Sequence, residues 1–346
     1  MLIDFDRVND PISICPTKIA EALSTRSGLV VQFSAPEFYD PSNLQELNLL
    51  CRRFGDHLEV RFYGHYGTTF DASILRHLPD VANLSLDCLT TIANEHEVAG
   101  LTQLKKFSFG VFEFDRPEFL QTLPLSKLRS LTLGENRKRN FNLSALAECA
   151  SLESLFVDGH WRNIERVAGL HSLNRVGLRG FPKAREVAFL GEVPNLSELT
   201  LCFGGRDNFD EFACESLETL HVYRVRGLCT LGSLSRFPRL QSLAVEDQLQ
   251  IEEIDLTGAK LTRFRACNCK NLGNLLGLCD QSHLREIMII SPVGLDMDEL
   301  KDFVWPTTTE VVFLASRSKA WNDRAEKELA ERGYRKTGSR WTYWGD

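Results

Sequence analysis

The sequence of 346 residues lacks any long hydrophobic run. A transmembrane helix needs about 18 to 20 consecutive, mostly apolar residues, and no stretch of this chain approaches that length. The first residues, Met1 to Asp6, carry acidic side chains where a secretory signal peptide carries basic ones, and no apolar core follows them. We therefore expect neither a membrane segment nor a signal peptide.

A surplus of basic residues is also missing. The chain has 40 Lys and Arg residues against 47 Asp and Glu residues, which gives a formal net charge of −7 at pH 7. Nucleic acids and anionic membranes normally require a basic face on the protein that binds them. The charge balance therefore argues against both and favours a protein partner that is neutral or basic.

The ten cysteines lack the grouping of a disulfide framework, which a secreted repeat protein would place in its terminal caps. Cys267 and Cys269 form the one close pair, and a C-x-C pair alone is a poor zinc signature. A free, buried cysteine behaves as a small apolar side chain. We expect reduced structural cysteines, a cytoplasmic protein and no bound metal.

Signatures of catalysis are absent as well. His96-Glu97 begins like a zinc-protease motif, but the second histidine does not follow. The segment 203–206 lacks the Lys-Ser/Thr of a phosphate-binding loop, and 207–211 lacks the spacing of a calcium loop. No G-x-S-x-G nucleophile elbow occurs. The sequence therefore predicts a protein that is not an enzyme and needs no cofactor.

What the sequence does contain is a repeat. Leu240, Leu243 and Val245 define the pattern L-x-x-L-x-L, with apolar residues at positions 1, 4 and 6. Ten such units follow one another at spacings of 21 to 24 residues, and their first positions are Val81, Leu104, Leu128, Leu152, Leu173, Leu196, Leu217, Leu240, Leu261 and Leu284. Each unit should contain a short strand, in which positions 4 and 6 face the core and positions 3, 5 and 7 face outward.

The second half of each unit carries another apolar pair at helix-like spacing. These pairs are Leu143/Leu146, Ile164/Val167, Phe209/Phe212, Leu231/Leu234, Ile251/Ile254 and Leu272/Leu275. They predict one or two turns of α or 3-10 helix on the outer side of each unit.

This pattern resembles the leucine-rich-repeat family, specifically an irregular array of the bacterial cytoplasmic type. The resemblance implies an α/β solenoid: a right-handed horseshoe with a concave parallel sheet that usually binds proteins. The family's asparagine at position 9 is present as Asn136, and Cys269 is an accepted alternative. Most other units depart from it, and the residues at position 9 include Leu89, Phe112, His160, Phe181, Gly204 and Val225. Irregular turns are therefore expected after the strands.

Three regions are expected: an N-terminal cap at 1–56, an array of about 11 or 12 units of 21 to 25 residues at 57–314, and a C-terminal cap at 315–346. The N-terminal cap should contain a helix from Thr17 to Arg26, a strand at 29–33 and a helix that begins after Asp40 and Pro41 and ends at Gly55. It covers the first core layer and includes a degenerate repeat. The C-terminal cap should contain a helix at 321–332 followed by a hairpin formed by 334–337 and 340–344.

Binding is expected on the outward strand positions and the loops that follow them, because interface cores favour aromatic residues and arginine. The candidate partner-binding residues are Phe156, Asp158, Trp161, Arg175, Arg179, Phe181, His221, Tyr223, Arg224, Glu246, Arg263 and Arg265, and the same face also includes Glu198, Thr200, Phe203 and Asp247. Trp161 and Phe203 have an alternative interpretation, in which each folds back to cover its loop.

Two functions fit these features. The first is a monomeric recognition scaffold that binds a protein on the concave sheet, as an inhibitor or immunity protein does. The second is a structural or adaptor subunit that docks through the C-terminal aromatic residues, which are Trp321, Tyr334, Trp341, Tyr343 and Trp344. The alternative for these aromatics is a cap that seals the end of the array.

Overall fold

The computed structural model describes residues 3–338 and divides into two compact units, Met1–Ser172 (unit 1) and Leu173–Asp346 (unit 2). Both are built from short strands separated by tight turns. The α-helices are α1 (Pro16–Thr25), α2 (Pro41–Phe54), α3 (Met297–Asp302) and α4 (Lys319–Glu331).

The strands of unit 1 are β1 (Ile3–Asp4), β2 (Arg7–Asn9), β3 (Leu29–Phe33), β4 (Leu58–Tyr63), β5 (Phe70–Asp71), β6 (Asn83–Leu89), β7 (Ile92–Ala93), β8 (Lys106–Val111), β9 (Ser130–Leu133) and β10 (Ser154–Asp158). The main sheet has the order β1-β2-β3-β4-β6-β8-β9-β10. Its strands pair in parallel except for the antiparallel pair β1-β2. The strands β5 and β7 form a separate parallel pair.

The strands of unit 2 are β11 (Arg175–Arg179), β12 (Glu198–Cys202), β13 (Thr219–Tyr223), β14 (Ser242–Glu246), β15 (Glu253–Asp255), β16 (Arg263–Cys267), β17 (Asn274–Leu276), β18 (Glu286–Ile290) and β19 (Val311–Ala315). The main sheet has the order β11-β12-β13-β14-β16-β18-β19, and all its pairs are parallel. Each strand is therefore hydrogen-bonded to the equivalent strand of the next repeat.

The apolar positions of the repeat form the core, as predicted. In the middle of unit 2, the side chains at positions 4 and 6 of three successive strands are at most 3% exposed, namely Leu199, Leu201, Leu220, Val222, Leu243 and Val245. Since side chains alternate along a strand, the residues between them lie on the opposite surface. We call that surface, made by positions 3, 5 and 7, the open face.

The helices predicted near the two termini are confirmed. The carboxylate of Asp40 accepts a hydrogen bond from the amide of Asn43 and caps α2, which ends at Phe54 with Gly55 as its C-terminal cap. The predicted helix at 321–332 corresponds to α4, whose first turn is capped by the hydroxyl of Ser318. After α4, Arg335 pairs in parallel with Val311 of β19. The predicted second strand of the hairpin, 340–344, lies outside the described residues, and the three-region division stays a prediction.

The outer side of the repeats is helical in part. The observed 3-10 helices are Pro36–Phe38, Gly55–His57, Ala72–His77, Glu95–Gly100, Phe119–Thr122, Leu125–Lys127, Leu143–Glu148, Ile164–Gly169, Ala188–Glu192, Leu234–Arg236 and Leu278–Asp280.

Three predicted outer helices are wrong. The pairs Ile251/Ile254 and Leu272/Leu275 lie in or beside β15 and β17, which pair with each other in parallel through Ile254 and Leu275. Adjacent extended segments satisfy each other's backbone groups, and β-branched isoleucine favours that conformation. The segment around Phe209 and Phe212 forms a turn instead.

The residue directly after each strand is usually left-handed. In eight of the ten units position 8 has a positive φ, and these residues are Cys88, Gly159, Gly180, Phe203, Arg224, Asp247, Asn268 and Ser291. A left-handed residue bends the backbone sharply away from the extended path of the strand. The turn at the end of each strand is therefore more regular than its varied residues suggest.

Where asparagine is missing at position 9, other residue types form hydrogen bonds to the backbone of the turn. His160 is fully buried, and its ring nitrogens lie 3.3 Å from the Phe141 amide and 3.1 Å from the Gly134 carbonyl. The buried amide of Gln248 donates to the Glu246 carbonyl at 3.0 Å. The thiol of Cys269 lies 3.4 Å from the Val245 carbonyl. Buried backbone groups in these turns are thus satisfied by histidine, glutamine and cysteine as well as by Asn136.

Candidate binding face

The open face of unit 2 is organised in rows, because parallel strands in register place equivalent positions side by side. The position-3 row is Arg175, Glu198, Thr219, Ser242, Arg263 and Glu286, and the position-5 row is Gly177, Thr200, His221, Ala244, Arg265 and Met288. In the position-3 row an adjacent basic and acidic pair stands at each end, Arg175 with Glu198 and Arg263 with Glu286, and Arg265 is the charged residue of the position-5 row. The face therefore carries charges of both signs.

Most of these charges are paired across neighbouring strands. Arg263 Nε lies 3.3 Å from Glu286 Oε2, and Arg265 Nε lies 3.1 Å from Glu246 Oε1. The same Glu246 oxygen lies 3.5 Å from His221 Nε2. These side chains are at least three-quarters buried. The paired side chains therefore hold one another in fixed positions on the face.

An aromatic and arginine group lies at the end of the strands. We call it the Phe203 cluster, and it consists of Arg179, Phe203, Tyr223, Arg224 and Asp247. The Phe203 ring meets the Tyr223 ring edge-on at 5.3 Å, and the guanidinium carbons of Arg179 and Arg224 lie 4.7 and 5.9 Å from its centroid. Both arginines are exposed and both rings are half-buried. Burial, together with the nearby Asp247 carboxylate, raises the pKa of the Tyr223 hydroxyl, which therefore stays protonated at neutral pH.

The backbone under this cluster is in an unfavourable conformation. Phe203 has φ +57° and Arg224 has φ +50°. A left-handed conformation is rare for bulky residues and common for Gly, Asn and Asp, which occupy the same position in several other repeats. The fold accepts this cost at two neighbouring repeats, where the side chains meet on the surface.

Unit 1 has an open face of its own, and the residues that β3 and β4 place on it are not among the sequence-predicted site residues. Arg61 Nε lies 2.8 Å from Asp87 Oδ1, and its Nη1 donates to Gln32 Oε1 at 3.0 Å. Gln32 Nε2 donates to Asn9 Oδ1 at 2.6 Å, and Arg61 also lies 4.7 Å above the Tyr63 ring. The signal was available, because these residues alternate with the buried ones in the degenerate first repeats.

Solved structures with this architecture are leucine-rich-repeat proteins. An internalin of Listeria monocytogenes aligns with a TM-score of 0.50 at 16% identity, over 92% of this chain and 89% of that one. The functional domain of InlJ from the same species aligns at 0.40 and 16% identity, over 85% and 66% of the two chains. A leucine-rich-repeat protein of Leptospira interrogans aligns at 0.36 and 13% identity, over 92% of each. This chain has the leucine-rich-repeat fold. No family model matches its sequence, and no curated protein does.

The sequence-predicted site residues differ in how exposed they are. On the open face of unit 2, Arg175 and Arg179 are exposed, and His221 is 9% exposed. Arg263 and Arg265 are more than three-quarters buried in their ion pairs with Glu286 and Glu246. In the Phe203 cluster, Tyr223 is half-buried and Arg224 is exposed. In unit 1, Phe156 is half-buried.

Besides His221, three more of the predicted residues are at most 9% exposed. Phe181 is fully buried against Phe209 and Arg206, so the expectation that it faces solvent is wrong. Its position 9 follows the left-handed Gly180, which directs the side chain inward. Trp161 is 9% exposed, consistent with a ring that folds back over its loop, and Asp158 is 8% exposed.

The described residues were also compared with the requirements of a metal site and of a reactive thiol. Within residues 3–338, no group of three or more His, Cys, Asp or Glu side chains is placed to hold a metal ion. Burial raises the pKa of the Cys267 thiol to about 11 and that of Cys269 to about 12, so both remain thiols at neutral pH. In the same part of the chain, no helix has the length and apolar character needed to cross a membrane.

Proposed function

We propose that this protein recognises a protein partner without catalysis, through the open face of unit 2 and the Phe203 cluster. The observation that carries the proposal is Phe203 itself. A bulky aromatic residue occupies a left-handed position that costs about 1 to 2 kcal/mol, and its ring remains half exposed between two arginines and a tyrosine. Such strain concentrates at functional sites.

The composition of the cluster supports the same proposal. Tyr and Arg are enriched among the residues that dominate binding energy at protein interfaces. The T-shaped ring pair and the two cation–π contacts hold the side chains in place, so little conformational entropy is lost on binding. Arg179 and Arg224 supply exposed hydrogen-bond donors around an apolar centre.

The charges of the face favour a neutral or basic partner. Acidic and basic side chains on the face pair with one another, and such a mixture of charge does not favour a polyanion. The net charge of −7 adds long-range attraction for a basic protein. In its most specific form, the proposal is a monomeric cytoplasmic inhibitor or immunity protein that covers the functional surface of its partner.

The experiment compares two substitutions that relieve the same backbone strain. Phe203→Gly removes the ring from the cluster, whereas Cys88→Gly replaces an exposed left-handed residue at the equivalent position of unit 1. Each purified variant serves as bait in affinity capture, with bound proteins identified by mass spectrometry and folding checked by circular dichroism. We expect a partner captured by the wild type and by Cys88→Gly to bind Phe203→Gly at least about tenfold more weakly, because a hot-spot side chain contributes 2 kcal/mol or more.

Equal capture by the wild type and both variants would refute a binding role for Phe203. Arg179→Ala gives an independent check, since it removes an exposed side chain and leaves the backbone unchanged. Loss of the partner with Arg179→Ala and with Phe203→Gly, but not with Cys88→Gly, places the contact at the cluster.

The adaptor alternative receives no support from the C-terminal aromatics that are described. The Trp321 indole donates to Asp298 Oδ1 at 3.1 Å, and the Tyr334 ring lies 5.3 Å from the Arg332 guanidinium. Both contacts tie α4 to its own surroundings, as in a cap. Trp341, Tyr343 and Trp344 lie outside the described residues.

A further inference from the structure

The turn between β1 and β2 carries an aromatic residue that folding does not explain. Asp4 pairs with Arg7 across the two strands, so Phe5 and Asp6 form a two-residue hairpin turn. The first residue of such a turn is left-handed and is usually glycine or asparagine. Phe5 has φ +51° and is 86% exposed, so its conformation is strained and its ring buries little apolar surface. Strain of this kind concentrates at functional sites.

The turn is fixed to the sheet behind it. The Val30 amide donates to the Asp6 carbonyl at 2.8 Å, and β2 pairs in parallel with β3. The Phe5 ring is therefore held at the surface by an anchored backbone, which lowers the conformational entropy that a contact with this ring would cost. We call the residues Asp4, Phe5 and Asp6 the Phe5 turn.

Two hollows in the surface of unit 1 meet at the Phe5 turn. The first has a volume of about 730 Å³ and is lined by Phe5 and Asp6, by the segment 25–30 and by Glu59 on β4. The second has a volume of about 520 Å³ and is lined by the whole Phe5 turn and by Tyr63 at the end of β4. A ligand that occupies both hollows therefore passes the Phe5 ring.

The charges of the turn favour a basic ligand. The exposed side chains of Asp4 and Asp6 stand on either side of Phe5 in the sequence. Arg7 Nε lies 3.7 Å from Asp6 Oδ1, but both side chains are more than half exposed, and an ion pair in water is weak. The two carboxylates can therefore pair with cations of a ligand that contacts the ring between them.

The walls of the first hollow are closer to neutral. Lys106 Nζ lies 2.8 Å from Glu59 Oε2, and Lys105 Nζ lies 2.8 Å from Asp56 Oδ1, so these charges already compensate one another. The exposed Arg26 on the segment 25–30 also lines the hollow. An acidic ligand would be drawn to Arg26, and a basic one to the Phe5 turn. The net charge of −7 favours the basic ligand.

We propose that the Phe5 turn and its two hollows bind an extended basic segment of a partner protein. Apolar side chains of that segment pack on the Phe5 ring, and its Lys or Arg side chains pair with Asp4 and Asp6. This surface shares no residue with the Phe203 cluster, so it is a second binding site beyond the function proposed above.

Synthetic peptides test the proposal without a known partner. Two fluorescein-labelled pentapeptides, Leu-Arg-Leu-Arg-Leu and Leu-Glu-Leu-Glu-Leu, have the same apolar residues and opposite charges, and fluorescence anisotropy with the full-length protein gives the Kd of each. We expect the arginine peptide to bind at least about tenfold more tightly, and we expect this preference to shrink at about 0.5 M salt, because exposed charges are screened. Equal affinities, no binding of either peptide, or a preference for the glutamate peptide, which would point to Arg26, overturns the proposal.

Matched variants locate the contact. Phe5→Gly removes the ring and suits the turn, whereas Cys88→Gly makes the same kind of change at another exposed left-handed residue of unit 1. We expect Phe5→Gly to bind the arginine peptide at least about fivefold more weakly, while its urea midpoint is no lower than that of the wild type, because glycine relieves the backbone strain. Asp4→Asn/Asp6→Asn should abolish the preference for the arginine peptide.

Two controls separate this site from the rest of the molecule. Cys88→Gly and Phe203→Gly should both bind the arginine peptide as the wild type does, so the outcome is independent of the role proposed for the Phe203 cluster. Wild-type affinity in Phe5→Gly, or an unchanged charge preference in Asp4→Asn/Asp6→Asn, overturns the proposal.

Discussion

Gly204, directly after Phe203, offers the sharpest test of the turn that supports the cluster. Its φ is +77°, and a Cβ at this position would lie 2.3 Å from the Phe181 carbonyl oxygen and 2.7 Å from the Phe181 amide nitrogen. Both contacts are far closer than a carbon atom tolerates. They involve backbone atoms of the preceding repeat, which cannot rotate away as a side chain could. Gly204→Ala therefore requires the two turns to move apart.

The cost can be worked out from two contributions. A residue with a Cβ in the left-handed conformation loses about 1 to 2 kcal/mol relative to glycine. Forcing an extra methyl group into a closely packed site costs about 1 to 3 kcal/mol. We expect Gly204→Ala to lower the free energy of unfolding by about 2 to 5 kcal/mol, a large part of the 5 to 15 kcal/mol typical of folded proteins.

The neighbouring Gly205 provides the control. A Cβ there would meet its nearest atom, the Arg226 carbonyl oxygen, at an ordinary 3.5 Å, and its φ is outside the left-handed region. Gly205→Ala should leave stability unchanged or raise it by up to about 1 kcal/mol, because alanine restricts the unfolded chain. Urea denaturation followed by far-ultraviolet circular dichroism measures both variants. Equal midpoints for the two would show that the backbone at Gly204 is not the close contact described.

Two further predictions concern the core. Leu131→Asp or Leu220→Asp should unfold the protein, because each buries an unpaired carboxylate at a site that is at most 3% exposed. Tyr223→Ala should keep the wild-type fold. A fall of many degrees in the melting temperature of Tyr223→Ala would show that Tyr223 belongs to the core. Burial lowers the pKa of His160 to about 4. Between about pH 6.5 and pH 4 the unfolded chain therefore binds more protons than the folded one, and the free energy of unfolding decreases as the pH is lowered. Between pH 7 and pH 5.5 the loss should be about 1 kcal/mol, seen as a lower urea midpoint, and His160→Gln should remove most of this pH dependence.

The strand pattern of unit 2 could be predicted because its signal is local and repeated. Leu220 and Val222 are positions 4 and 6 of their strand, and the same two positions are apolar in the equivalent strands. The alternation of side chains along a strand alone determines that both positions face inward. The start of α2 could be predicted equally well, because Asp40 acts through a hydrogen bond and Pro41 through its dihedral preference, both within one helical turn. In both cases the physical cause lies within a few residues of the feature.

The outer strands and the partners on the open face could not be derived in this way. Whether Ile254 belongs to a 3-10 turn or to β15 depends on the adjacent repeat, which supplies Leu275 as its pairing partner. The pairing of Glu246 with both Arg265 and His221 likewise joins residues from three different strands. The sequence places these residues on one face, but it does not determine which charges neutralise one another.

Position 8 explains why the site was only partly predicted. Where it is left-handed, the chain turns and carries position 9 into the core: Phe181 after Gly180 is fully buried, and Val225 after Arg224 is 4% exposed. Phe112 follows Val111, which is not left-handed, and it is 49% exposed. An aromatic residue at position 8 itself therefore stays at the surface, while the same residue one place later becomes core. Phe203 is followed by Gly204, so this repeat has no core side chain at position 9, and its aromatic ring lies at the surface instead. The difference of one position therefore leaves the Phe203 ring at the surface, where we propose that it binds a partner, and places the Phe181 ring in the core.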